Sequence, residues 1–360
     1  MKYSITSRVK FVLVIASAIA AFSCGSAPEP ARAPEPARKI VINYPNKSGS
    51  QWPLFIAKEA GIYSKYGLDV ELSFGVHPAG VAMLASGQGQ MVNSSLEQLM
   101  QAASKDGSLI LVGSSLNRGT FALMAGKNIK NVESLKGKKI AVSQIGDGPY
   151  GYVVAILAKS GLSDRDVQWI PVGGAVSGRA AALTSGRVDA TILTAPAYFK
   201  LEAEGYNTLV NLAERDDIFA STTYLMAKSD LKNDTKLAES LIKAHAEAIR
   251  KFYEDQPAAI AAYSKYEPDS SAADVERTYE LYAKPQAFER VPYVLRDAVN
   301  AVLNQQSDPQ LAERMKAYDW KQVIDNSIVD KLVKEGFFVQ IFGDSIKAEQ
   351  ERKATLAFGK

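Results

Sequence analysis

The sequence predicts an α/β protein of two similar lobes, each built on a mostly parallel β-sheet that is flanked by helices. Three observations lead to this prediction. Short β-branched runs alternate with helical runs, an internal echo recurs along the chain, and a length of 360 residues suits two domains. Alternation of strand and helix implies parallel strands joined by right-handed crossovers.

The echo is an internal repeat: three short sequence segments recur in the same order at an offset of about 100 residues. The matched pairs are residues 39–42 with 139–142, 57–61 with 158–161, and 84–87 with 183–186. The second and third phrases end in glycine, which is typical of a helix C-terminus. The echo therefore predicts that each lobe repeats the same strand–helix order.

Each half is expected to run strand, helix, strand, helix, strand. The expected elements are residues 39–44, 53–60, 68–74, 79–86 and 90–95 in the first half, and 138–143, 151–160, 167–172, 177–185 and 188–194 in the second.

Two further strands, 120–125 (TFALMA) and 222–227 (TTYLMA), both end in Leu-Met-Ala and are expected to cross between the lobes. Lobe 1 would then be discontinuous, with residues 39–122 and 226–360, and lobe 2 would hold residues 123–225. Amphipathic helical runs fill residues 230–355 and are expected to pack around lobe 1.

The N-terminus has the order of a secretory signal peptide: a basic start, an apolar run at residues 11–22 and then small residues. Cys24, the only cysteine, stands where a bacterial lipoprotein carries its lipidated cysteine, although Phe22 is bulky for that motif. A plain signal peptide cleaved nearby is the alternative. Residues 25–38 repeat A-P-E-P-A-R and predict an extended tether. We therefore expect residues 1–24 to direct export, with a lipid anchor at Cys24 on the periplasmic or cell-surface side of the cytoplasmic membrane.

Sequence signals of chemistry are few. A net charge of +3 argues against a nucleic-acid partner. If Cys24 is the lipidated first residue, the mature fold holds no thiol, and no HExxH or ligand-spaced acidic cluster occurs, so neither a metal nor a cofactor is expected. Residues 146–151 match G-x-G-x-x-G, but Pro149 interrupts the motif, which makes dinucleotide binding a weak alternative. His245 is expected to be a partly exposed helix residue.

Four stretches carry a family pattern: residues 55–72, 131–142, 156–172 and 181–206. They contain the phrases G-I-Y-x-K-x-G-L-D-V, L-K-G-K-K-I and S-G-x-V-D-A in that order. This pattern resembles the solute-binding proteins of ABC importers, of the nitrate/sulfonate/taurine and thiamine-pyrimidine (NMT1/THI5-like) type, over about residues 39–265. The resemblance implies a periplasmic-binding-protein type II fold, a small-molecule ligand, a permease with its ATPase as partners, a monomer, and no catalysis.

The resemblance also implies ligand contacts from loops that follow the strands. These are Gln51, Trp52, Ser94, Ser95 and Asn117 in lobe 1, and Gly148, Tyr150 and Thr194 in lobe 2. Trp52 and Tyr150 would cover an apolar or ring face of the ligand. Two further candidates come from the residues themselves. His77 follows a strand and could reach a cleft, and Asp147 either lines the site or caps a helix.

The ligand itself stays open between two chemistries. A small organic anion such as a sulfonate fits the family, whereas a neutral or heteroaromatic compound, such as a pyrimidine, fits Asp147 and the aromatic loops. Two other functions are alternatives: a sensor that presents its ligand to a receptor, and a pyrimidine-synthase-like enzyme. The enzyme is disfavoured because residues 93–95 read Asn-Ser-Ser, without cysteine. Gln90 also departs from the repeat, since Asp189 holds the equivalent place in the second half.

Overall fold

The internal echo corresponds to two five-stranded sheets with the same pattern. The structure, a computed structural model, describes residues 36–75, 77–173, 176–215, 217–233, 235–304, 306 and 308–360. Cys24, the signal segment and most of the tether therefore lie outside the described residues. The strands are β1 (Arg38–Tyr44), β2 (Leu68–Phe74), β3 (Met91–Ser94), β4 (Leu109–Arg118), β5 (Phe121–Ala125), β6 (Lys139–Val142), β7 (Gln168–Pro171), β8 (Ala190–Thr194), β9 (Asn207–Asn211) and β10 (Ile218–Ala227).

The strand order is β2-β1-β3-β10-β4 in the first sheet and β7-β6-β8-β5-β9 in the second. In each sheet the first three strands are parallel, as the crossovers predict. The fourth strand, β10 or β5, is antiparallel to both of its neighbours. We call the first sheet with its helices lobe 1, and residues 121–211 lobe 2. The chain passes between the sheets at residues 119–120 and again between Asn211 and Ile218, whereas the sequence placed the lobe boundaries at 122/123 and 225/226.

Helices flank both sheets. Those before β10 are α1 (Trp52–Glu59), α2 (Ile62–Lys65), α3 (His77–Ala85), α4 (Leu96–Lys105), α5 (Gly148–Lys159), α6 (Val176–Thr184) and α7 (Ala197–Ala203). Those after it are α8 (Lys228–Asn233), α9 (Thr235–Glu254), α10 (Gln256–Ser264), α11 (Ala272–Ala283), α12 (Arg296–Asn304), α13 (Pro309–Ala317), α14 (Ser327–Lys334), α15 (Phe337–Phe342) and α16 (Lys347–Leu356). Among the described residues, none of these helices combines the length and the apolarity needed to cross a bilayer.

The glycines at the ends of the echoed helices have the conformation that the sequence predicts. Gly87 follows α3 and Gly186 follows α6, and each has φ +71°. Side chains other than glycine rarely adopt this left-handed region, so a helix that ends there favours glycine. The match confirms that the two halves share the turn that leads from helix to strand, at the same place in the repeat.

The core of lobe 1 is built around Trp52, which corrects a sequence prediction. Trp52 is the first residue of α1 and is 0% exposed. Its ring stacks on Tyr263 at 4.4 Å and meets Phe252 edge-on at 5.2 Å, while its indole N–H donates to the Ala259 carbonyl oxygen at 2.6 Å. With every side occupied by protein, this side chain anchors α9 and α10 to α1. The prediction that it covers a ligand is not supported.

His245 is also placed differently from expectation, because it is 1% exposed rather than partly exposed. It lies in α9, and its Nε2 is 2.8 Å from the Tyr63 hydroxyl. The Nδ1 atom has no hydrogen-bond partner among the described residues. Burial lowers the pKa of His245 from 6.5 to about 3, so the native state holds this imidazole neutral.

Replacing Trp52 tests its role in the core. We expect Trp52→Ala to lower the free energy of unfolding by about 3–5 kcal/mol, since it removes a large buried ring and leaves a cavity. Urea-induced unfolding measures this change. Phe74→Ala, at a 53% exposed ring, is the control and is expected to change stability by less than about 1 kcal/mol. Equal effects of the two substitutions would contradict the assignment.

His245 makes the fold acid-sensitive in a defined direction. Its pKa is lower in the folded than in the unfolded state, so the unfolded chain takes up the proton first as the pH falls. Stability from the neutral imidazole is therefore present above pH 6.5 and lost progressively toward pH 3. We expect His245→Gln to flatten the curve of unfolding free energy against pH in that window. Parallel curves for the two proteins would show that His245 does not titrate as described.

Candidate functional site

Polar side chains gather where the strands of lobe 1 end. Asn93, in the last part of β3, donates from its amide nitrogen to the Gln51 side-chain oxygen at 2.6 Å. Gln51 in turn reaches the Ser50 hydroxyl at 3.3 Å, and Ser50 lies 2.9 Å from Ser48. Gln51, Ser50 and Ser48 precede α1, so one chain of hydrogen bonds connects the loop after β1 to the end of β3. Such a cluster at strand carboxyl ends is where open α/β sheets bind ligands.

A second polar group lies on the two strands closest to the crossings between the lobes. On β4, the Ser114 hydroxyl donates to the Asn117 side-chain oxygen at 2.8 Å. On β10, the Thr223 hydroxyl donates to the carbonyl oxygen of Ser94 at 3.0 Å. All of these residues are at most 7% exposed. They place neutral donors and acceptors at the centre of the molecule, beside both connections.

Several polar atoms of this region have no hydrogen-bond partner among the described residues. They include the side-chain oxygen of Asn93, the amide nitrogen of Asn117 and the hydroxyl oxygen of Thr222. Buried polar groups are nearly always paired, with protein or with an ordered water or ligand. One acceptor, one two-hydrogen donor and one hydroxyl, which can donate or accept, therefore lack a protein partner and could pair with a polar molecule.

Lobe 2 contributes the N-terminus of α5. Asp147 is its N-cap, and its carboxylate accepts from the backbone N–H groups of Tyr150 and Gln144, both at 3.0 Å, and from the Ser143 hydroxyl. The structure thus confirms the capping alternative for this residue. Burial raises the pKa of Asp147, while the Ser143 hydroxyl, the Tyr150 N–H and the Arg179 guanidinium act in the opposite direction.

Arg179 places a buried cation in lobe 2. It lies in α6, is 3% exposed, and donates from Nε to the carbonyl oxygen of Ile192 at 3.1 Å. Burial lowers the pKa of Arg179, and the negative charge of Asp147 counteracts that effect. Thr194, the last residue of β8, is 6% exposed.

The two lobes touch where the N-termini of α4 and α5 meet, a contact that we call the seam. Gln101 of α4 donates to the carbonyl oxygen of Gly146 at 2.6 Å. The Glu97 carboxylate lies directly against Gly148, because a β-carbon added to that glycine would clash with it. The space left between these groups amounts to about 10 Å³, room for about one water molecule. At the seam the two lobes are therefore in direct contact, an arrangement that we call the closed state.

Glu97 is buried at the seam, and the pKa of its carboxyl group is unusually high. Its side chain is 7% exposed, and one carboxylate oxygen accepts from the Ser95 hydroxyl at 2.8 Å. Burial is the largest influence, the Ser95 hydroxyl opposes it and the charge of Asp147 adds to it, which together raise the pKa of Glu97 to about 7. A carboxyl group at the centre of the molecule thus changes charge near neutral pH.

The predicted site residues divide into several groups. Gln51, Ser94, Asn117, Gly148, Asp147 and Thr194 lie at strand carboxyl ends, beside the crossings or at the seam. Ser95 is the N-cap residue of α4, and its hydroxyl is bonded to Glu97. Tyr150 lines the seam, but its ring packs on Trp169 at 4.5 Å within lobe 2. The side chain of His77 lies outside the described residues.

Sequence reasoning missed Glu97 and Arg179. Glu97 stands in the first turn of α4, where an acidic residue usually faces solvent and favours the helix dipole. Arg179 stands in the first turns of α6, after a glycine-rich loop. Only the meeting of elements distant in the sequence buries the two charges, and no local pattern reports that meeting.

Within the described residues, no group of three or more His, Cys, Asp or Glu side chains could hold a metal ion. The described side chains that line the seam include neither cysteine nor histidine. Chemically, the arrangement offers hydrogen-bond donors, acceptors and buried charges around a closed gap between two lobes.

Comparison with known proteins identifies the family. The NMT1/THI5-like family model matches residues 50–259, which is more than half of the chain. The chain therefore belongs to the NMT1/THI5-like family. A search of curated proteins found no significant match.

Solved structures show the fold that this family membership carries. The periplasmic aliphatic sulphonate-binding protein SsuA from Escherichia coli is similar at a TM-score of 0.67 and 19% identity, over 80% of this chain and 92% of that one. The alkanesulfonate-binding protein SsuA from Xanthomonas axonopodis pv. citri, bound to MOPS, is similar at a TM-score of 0.65 and 20% identity. The match covers 82% of this chain and 100% of that one. The periplasmic nitrate-binding protein NrtA from Synechocystis PCC 6803 is similar at a TM-score of 0.67 and 13% identity. The match covers 88% of this chain and 91% of that one. The chain has the two-lobed α/β fold of periplasmic binding proteins.

The capping role of Asp147 leads to a prediction. We expect Asp147→Ala to lower the free energy of unfolding by about 1 kcal/mol, because the first turn of α5 loses its side-chain acceptor. Asp147→Asn keeps an acceptor in place and is expected to retain most of that stability. Urea-induced unfolding of the three proteins at neutral pH measures the difference. Equal loss in both variants would mean that the negative charge, rather than the cap, is what α5 requires.

Proposed function

We propose that this chain is an exported solute-binding protein that captures a small molecule between its two lobes and delivers it to the permease of an ABC importer. The single observation that carries the proposal is the set of unpaired polar atoms of Asn93, Asn117 and Thr222, buried beside the two crossings. Membership of the NMT1/THI5-like family supports it, as do the similar structures of proteins named for binding sulfonates and nitrate.

Closure of the cleft follows from the way the lobes are joined. Two short connections, residues 119–120 and 212–217, link the sheets. The lobes also touch at the seam and where Arg277 of α11 pairs with Glu202 of α7. Two-lobed proteins of this kind close by hinge motion around a ligand. The ligand enters the open cleft, meets neutral donors and acceptors from lobe 1, and is covered by the N-terminus of α5 from lobe 2.

Two ligand chemistries remain candidates, and the first is a small organic anion such as a sulfonate. The names of two similar structures favour it, and Arg179 supplies a buried positive charge. The second is a neutral or heteroaromatic compound. The carboxyl groups of Glu97 and Asp147 favour this class, since an ionised carboxylate at the seam repels an anion.

The N-terminal residues support a proposal for the location of the protein. We propose that residues 1–24 direct export, that Cys24 carries the lipid anchor, and that the proline-rich segment to residue 38 holds a monomeric binding unit off the membrane. In that arrangement the protein stays close to its permease while its lobes remain free to open and close.

A thermal-shift panel separates the ligand classes. The panel contains ethanesulfonate and taurine, sodium nitrate, and an aminopyrimidine. A compound present at about 100 times its dissociation constant is expected to stabilise the native state by roughly 2.7 kcal/mol. Absence of stabilisation by every compound, at millimolar concentration across neutral pH, would contradict both ligand classes.

The compound that stabilises the protein then locates the site. We expect Asn93→Ala to weaken its binding by about tenfold or more, because a buried hydrogen bond to the ligand and the partner of Gln51 are lost together. Isothermal titration calorimetry measures the dissociation constants. Asn131→Ala, at an exposed position of lobe 2, is the matched control. If the two variants bind equally well, the ligand lies elsewhere.

A further inference from the structure

Glu97 is buried at the seam without a partner from the opposite lobe. Its carboxylate accepts from the Ser95 hydroxyl, two residues before it on the same lobe, and from its own backbone N–H. Gly148 of lobe 2 presses against the carboxylate but has no side chain to offer. An ionised carboxylate that loses its water without gaining a cation is costly. Closure of the lobes therefore acts directly on the charge state of this one group.

No described side chain that lines the seam with Glu97 supplies a compensating positive charge. From lobe 2, the groups that face it are Asp147, which is itself acidic, and the hydroxyl-bearing Tyr152. From the C-terminal part of the chain, the neutral Val302 and Gln306 complete the lining. Helices α12 and α13 also pack on α4, yet their charged residues are exposed: Arg296, Asp297, Glu313, Arg314 and Lys316. Among the described residues that line the seam, none carries a positive charge.

We propose that Glu97 is a proton-controlled latch: the ligand-free lobes close on the protonated carboxyl group, and loss of that proton opens the cleft. The protonated form is neutral and stays bonded to Ser95, so its burial against Gly148 leaves no charge without a partner. The ionised form regains water when the lobes separate. Other hydrogen bonds that join the lobes run from Gln101 to the Gly146 carbonyl oxygen, from Arg277 of α11 to Glu202 of α7, and between Tyr152 and Ser221.

The direction of the pH effect follows from the two states. Burial raises the pKa of Glu97 to about 7 in the closed form, from an ordinary value of 4.5 that the open, hydrated form is expected to keep. The closed form thus binds the extra proton between these values and is favoured toward the acid side. Between about pH 5.5 and pH 8.5 the ratio of closed to open molecules is expected to fall roughly thirtyfold.

Spin labels can report this equilibrium without a ligand. The full chain with Cys24→Ser has no native thiol, so Gln88→Cys and Arg187→Cys add one label site to each lobe. Both positions are exposed and follow the equivalent helices α3 and α6, away from the seam. Pulsed electron-electron double resonance at about pH 5.5 and pH 8.5 measures the interlobe distance in each state. The parent protein is expected to show the distance of the closed structure at the lower pH and a second distance at the higher pH.

Two substitutions test whether Glu97 is responsible. We expect Glu97→Gln, which mimics the protonated group, to stay closed at both pH values. Gly148→Ala, which presses on Glu97 from the opposite lobe, is expected to show the second distance at both. The matched controls are Glu71→Gln, at an exposed strand position, and Gly178→Ala, in a helix of lobe 2 with room for a β-carbon. Both controls are expected to keep the pH response of the parent protein.

The outcomes separate this inference from the proposed function. A single distance at both pH values in the parent protein, or an unchanged pH response in Glu97→Gln, would overturn the latch. Because no ligand is present, neither result depends on whether the protein captures a solute. Conversely, if no compound of the thermal-shift panel binds, the measured interlobe distances and their interpretation are unaffected.

Discussion

The insertion of β10 into the first sheet is the constraint on which the rest of the molecule depends. It separates β3 from β4 and runs antiparallel to both, so lobe 1 is incomplete until the chain has built all of lobe 2. Strand β5 fills the same place in the second sheet. Together, β5 and β10 fix two short connections side by side between the lobes. Because β5 and β10 hold these places in the two sheets, the polar side chains beside the connections lie close to the seam between α4 and α5.

Much of the fold can be read from the sequence because its signals are local. Each of these signals acts within a few residues. They are the glycines after α3 and α6, the β-branched residues of the strands, and the sequence Leu-Met-Ala that 123–125 and 225–227 share. The polar strand ends also follow from alternation and strand direction. The error at Trp52 has a local cause: helix α1 begins at Trp52 itself, so helical spacing places it on the face of Phe55 and Ile56, which are also buried.

The charges at the seam could not be found in this way. Glu97 looks like an ordinary acidic residue in a first helical turn, and it is buried because Gly148, some 50 positions later in the chain, docks against it. His245 is similar, since α9 is covered from both sides by α1 and by α14 and α15. Solvent exposure of a charged or polar residue is a property of the assembled lobes. Local sequence encodes which face of a helix is apolar, and it does not encode what later covers the other face.

The exchange of strands also orders the events of biosynthesis. Residues 121–211 form their sheet from a continuous stretch, and every strand of lobe 2 has been made when Asn211 is reached. Lobe 1 starts first but cannot complete its sheet until β10 follows, and its aromatic core waits for Tyr263 of α10. During that interval β3 and β4 each present an unpaired edge, which is a hazard for association with other chains.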